Sequence, residues 1–97
     1  MVIQANLRLM PALQNEFDAL ILLSSNDVPG VEESLRAVLE PFTLKILEVQ
    51  KIALRGRLIV GFLITCDRAH VQAIEADLVD FGASTGFDVA IDYSERV

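Results

Sequence analysis

Ninety-seven residues are enough for one compact domain and too few for two. With 8 Lys and Arg against 14 Asp and Glu the net charge is −6, so a polyanion such as DNA or RNA meets net repulsion. The 53% hydrophobic content and mean hydropathy of +0.45 exceed what a small core needs and point to burial against a second copy. The longest apolar runs, Ala19 to Leu23 and Leu58 to Ile64, fall far short of the ~20 residues of a membrane-spanning helix.

Residues 1 to 17 show scattered apolar positions without period, broken by Pro11. They are expected to form a loosely ordered extension with a short helical turn around Ala12 to Phe17, ahead of one domain over 18 to 97. Their start lacks the basic region and small-residue cleavage site of a secretory signal, so the expected compartment is the cytoplasm. Ala19 to Leu23 is a five-residue apolar run closed by Ser24-Ser25-Asn26-Asp27, which predicts a strand buried on both faces. Asp27-Val28-Pro29-Gly30 then opens a helix, with Asp27 as cap and Glu32 and Glu33 at the positive end of its dipole. Its apolar face is Val31, Leu35, Val38, Leu39 and Phe42, and Pro41 ends it.

Leu44 to Leu54 reads as a long strand whose alternation slips between Ile46 and Leu47 and again between Val49 and Ile52, the signature of bulges. Arg55-Gly56 is a hairpin signal. Beyond it Leu58 to Ile64 is apolar at every position, as in a central strand. Leu63 is expected to be buried there, so that Asp in its place unfolds the domain. Asp67 caps a second helix with the stripe Val71, Ile74, Leu78 and Phe81, and Gly82 is the expected left-handed terminus. Phe87, Val89, Ile91 and Tyr93 alternate with Asp88, Ala90, Asp92 and Ser94, giving a last strand with one wet face. The order β-α-β-β-α-β predicts an α+β, ferredoxin-like fold, a four-stranded antiparallel sheet with both helices on one face.

Few residues support catalysis. His70 is the only imidazole and reads as a solvated helix residue. The lone Cys66 excludes an internal disulfide and a multi-thiolate metal site, and reads as an inert, half-buried thiol. The acidic pairs Glu32/Glu33, Asp77/Asp80 and Asp88/Asp92 read as solvated faces, and Lys51, Arg55 and Arg57 as a small basic cluster around the hairpin. Neither GxGxxG nor GxxxxGK[ST] occurs. Two readings of the loop Ser25 to Val31 stand side by side. It starts a helix and nothing more, or its backbone N–H groups take a carboxylate while Asp27 takes an ammonium, which together suit a free amino acid.

Asn26-Asp27-Val28-Pro29-Gly30-Val31 resembles the loop of ACT domains, small-molecule regulatory modules of amino-acid metabolism. Ile46-Leu47-Glu48-Val49-Gln50-Lys51-Ile52-Ala53-Leu54-Arg55-Gly56-Arg57-Leu58 is similar to the second and third strands of a narrower group, the N-terminal ACT domain of bacterial phosphoserine phosphatases of the actinobacterial type. The resemblance covers about Ala19 to Tyr93. It implies a homodimer through sheet or helix pairing, with a free amino acid, often serine, bound near the loop by Asn26, Asp27, Gly30 and Val31. It also implies a parent enzyme whose haloacid-dehalogenase domain uses an Asp nucleophile in a DxDx[TV] motif and Mg²⁺. This chain has no DxD, so it is expected to be neither the catalyst nor a cofactor carrier. Val28 and Lys45 stand where the family often has Arg or Gln and Asn. They motivate an alternative, a structural pairing module with a vestigial pocket and no ligand.

Overall fold

The computed structural model describes residues 16–95. Strand β1 (Glu16–Asn26) leads through a loop into helix α1 (Val31–Leu39), then β2 (Leu44–Leu54) and β3 (Arg57–Asp67). A short 3₁₀ turn (Arg68–His70), helix α2 (Val71–Thr85) and β4 (Asp88–Glu95) follow. All pairings are antiparallel in the order β2-β3-β1-β4, the ferredoxin-like arrangement read from the element order. The helical turn expected around Ala12 to Phe17 falls partly outside the described residues. Within them Glu16 and Phe17 are strand, because Phe17 continues the period-two core face of Ala19 and Ile21 and packs edge-on to Tyr93 at 6.4 Å.

Period-two alternation decides the core. Ala19, Ile21 and Leu23 of β1 and Val60, Phe62, Ile64 and Cys66 of β3 point to the helix-covered face, where they meet Val31, Leu35 and Leu39 of α1 and Ile74 and Leu78 of α2. Each Val, Leu, Ile and Phe side chain among them contributes about 1.5–3 kcal/mol on burial. Burial pushes the Cys66 thiol above its ordinary range, with the Asp67 and Asp18 charges adding to the effect. Both-face burial of β1 and β3 is corrected. Leu20, Leu22 and Ile59 are exposed and Leu63 is only partly buried, all on a second face that neither of the described helices covers. Leu63 therefore lies outside the core, and unfolding by Asp at this position is not expected.

The local signals hold with adjustments. In β2 the register shifts between Ile46 and Glu48, leaving Leu47 as the extra residue, whereas no shift occurs between Val49 and Ile52. Ile52 consequently faces outward. The hairpin turns on Arg55 and Gly56, both at positive φ (52° and 78°), as a two-residue I′ loop requires. Asp67 accepts a hydrogen bond from the Ala69 N–H at 2.9 Å and caps the 3₁₀ turn. The left-handed terminus of α2 is Gly86 (φ 77°), not Gly82. Gly82 is helical, and a Cβ there would meet the Phe87 carbonyl oxygen at 3.1 Å, so it lets β4 come in close. His70 is not solvated as expected. It is partly buried with its ring 6.2 Å from Phe42, and its Nδ1 is buried without a hydrogen-bond partner.

Candidate functional site

The loop between β1 and α1 forms the mouth of a cleft of about 330 Å³ beside the helix start. Its walls are Asp27 to Glu33 on one side and Lys51, Ala53 and Leu58 from the two hairpin arms on the other. The helix begins differently from expectation. Gly30, at φ 84°, is the N-cap, and no side chain caps the helix, so Asp27 stays free of that duty. The first intrahelical bond runs from the Ser34 N–H to the Gly30 carbonyl at 3.0 Å, with the Ser34 hydroxyl on the same oxygen at 2.8 Å. The N–H groups of Val31, Glu32 and Glu33 thus have no intrahelical acceptor, and the positive end of the dipole opens into the cleft.

The cation of the cleft is Lys51, which sequence reasoning assigned only to a basic cluster. The bulge at Leu47 reverses the phase of β2, so Val49, Lys51 and Ala53 share the helix side. Lys51 Nζ stands 3.0 Å from Glu32 Oε1, while Arg36 donates to Glu32 Oε2 from Nη2 at 2.9 Å and Nε at 3.0 Å. The hydrogen bonds from Lys51 and then Arg36 hold the Glu32 carboxyl below the usual carboxylate range. The network is complete above that range and is lost only as pH falls through the lowered value. Of the expected binding residues, Asp27, Gly30 and Val31 line the cleft together. Asn26 does not. Its side chain lies on the open face, where the Arg57 Nη1 donates to its Oδ1 at 3.1 Å.

A Cβ built on Gly30 meets no atom within 4 Å, so space does not restrict this position; its backbone conformation does. Gly30→Val is expected to destabilise the domain by about 1–2 kcal/mol through the left-handed backbone, and Gly30→Asn by clearly less. Urea melts followed by circular dichroism check this ordering; equal loss in the two variants contradicts it.

A profile of the ACT domain family matches residues 18–92. The chain is 35% identical over 88 residues to phosphoserine phosphatase SerB2 of Mycobacterium tuberculosis (strain ATCC 25618 / H37Rv), covering 89% of this chain and about a fifth (21%) of that enzyme. Among solved structures, an ACT domain protein from Streptococcus pneumoniae superposes with a TM-score of 0.70 at 13% identity, over 79% of this chain and 89% of that one. The regulatory subunit of aspartate kinase from Thermus thermophilus, ligand-free, superposes at 0.61 and 14% identity, over 80% and 51%.

Proposed function

The chain belongs to the ACT domain family, a regulatory rather than catalytic module, and on that premise we propose that it binds a free amino acid, L-serine first, and serves a phosphoserine phosphatase of L-serine biosynthesis. The observation that carries this reading is the composition of the cleft. Uncapped helix N–H groups and Lys51 receive the α-carboxylate, and Asp27 and Glu33 receive the ammonium. Ala53 and Leu58 leave room for a short side chain. The relative that is a phosphoserine phosphatase supports the choice of serine. Catalysis and its Mg²⁺ belong to a separate domain of the parent enzyme, and this chain requires no cofactor.

The domain acts as a homodimer in the cytoplasm. The open apolar face and the outer edges of β2 and β4, which pair with no further described strand, support pairing. Among the described residues no helix is long and apolar enough to cross a membrane. Ligand bound near the pairing surface stabilises one arrangement of the attached catalytic domains. A second reading, a pairing module without ligand, is favoured by one observation, that Lys51 is already held by Glu32.

Titration calorimetry against L-serine and other amino acids, with sedimentation velocity in parallel, separates the two. The regulatory reading expects saturable binding that weakens about tenfold or more in Asp27→Asn and in Lys51→Met. A dimer that binds no amino acid at millimolar concentration leaves the pairing module.

A further inference from the structure

Arg57 opens β3, directly after the hairpin turn, and stands opposite Asn26 in the β1–β3 register. Its guanidinium lies on the open face, behind the cleft. Nη1 donates to Asn26 Oδ1 at 3.1 Å, Nη2 donates to Ser24 Oγ at 2.8 Å, and Nη2 stands 3.9 Å from Asp88 Oδ2. One residue along in each strand, the Asp27 N–H donates to the Gly56 carbonyl at 2.9 Å. The dipeptide Asn26-Asp27 is therefore tied to Gly56-Arg57 twice, once through backbone and once through side chains. These dipeptides join the walls of the cleft, the loop Asp27 to Glu33 and the hairpin arms bearing Lys51, Ala53 and Leu58.

We propose that Arg57 is a positioning residue for the ligand loop. It clamps Asn26 from the face opposite the cleft and so fixes Asp27 and the Gly30 turn relative to Lys51 and Leu58. It touches no ligand, and neither does Asn26, whose amide is held rather than holding. The inference rests on the amino-acid reading of the cleft. A guanidinium suits the task because its rigid fork reaches two acceptors, Asn26 and Ser24, at once; a lysine ammonium on a flexible stem lacks that fixed spacing. Holding the loop beforehand lowers the ordering cost of binding, so loss of the clamp appears in affinity.

The test is calorimetric titration of the full chain with L-serine. Arg57→Met and Asn26→Ala are each expected to weaken binding about tenfold, and the double variant no more than either single one, because both remove the same contact. Arg57→Lys recovers part of the loss, and Arg55→Met, which removes the same charge at the neighbouring turn position, leaves affinity unchanged. Thermal midpoints of the ligand-free variants stay within a few degrees of wild type, which separates positioning from a general loss of stability. Wild-type affinity in Arg57→Met overturns the clamp while the cleft remains the site. Failure of the wild type to bind any amino acid overturns the site reading, and the clamp with it.

Discussion

Replacing Phe62 by Ala is expected to lower folding stability by about 3–5 kcal/mol, while Leu63→Asp, one position along the same strand, leaves the domain folded. Phe62 is fully buried and sits between Ile21 and Val49 in the pairing register, under the helices. A domain of this size has about 5–15 kcal/mol in total, so the Phe62 variant is close to unfolding. Leu63 has the opposite orientation. It faces away from the helices between Leu20 and Glu48 and is only partly buried. Its replacement by Asp adds a like charge across from Glu48, an effect of about 0.2–1 kcal/mol. Urea denaturation followed by circular dichroism, since the chain has no Trp, checks the contrast. Comparable losses in both variants would show that the two faces of the sheet are misassigned.

The second large effect concerns Tyr93, the single tyrosine. Its hydroxyl donates to the Val71 carbonyl at 3.0 Å, which ties β4 to the first residue of α2. Burial, with the Glu75 and Cys66 charges, pushes the phenol up to about 12. An unfolded tyrosine ionises near ~10. The raised value means that Tyr93 contributes stability at every pH below about 10, and that this contribution fades as pH rises through the folded value. Absorbance at the tyrosinate band is expected to rise near pH 12 in the native protein and near ~10 in urea. A native transition near ~10 would place the hydroxyl in solvent.

Much of this fold is legible from residue order because its signals are local. The apolar stripe of α1, the Arg55-Gly56 hairpin, the bulge at Leu47 and the alternation of β4 each depend on neighbours a few positions away. What the sequence leaves open is what covers a second apolar face. Leu20 and Leu22 look the same in a chain whether a helix or another molecule lies over them, and here neither described helix does. Glycines four apart also read alike: Gly82 and Gly86 both suit a helix end, and only the approach of Phe87 and Val89 distinguishes them.

The candidate site was legible in part for the same reason. Asp27, Gly30 and Val31 cluster because the loop is short and contiguous. The resemblance to the ACT-domain loop places Asn26 with them, yet it belongs to β1, and its parity with Ser24 and Leu22 sends it to the open face. That parity was readable. Lys51 was harder, since its direction depends on the bulge four residues earlier, and its partner Glu32 comes from another element.

The most direct measurement is a thermal-melt series followed by circular dichroism with a panel of amino acids, L-serine first. A ligand at ~100-fold its dissociation constant adds about 2.7 kcal/mol, or roughly 10–20 °C for a domain this small. The regulatory account predicts a shift of that size with serine, reduced in Asp27→Asn and Lys51→Met. Melts unchanged across the whole panel would contradict it and leave a module whose work is pairing alone.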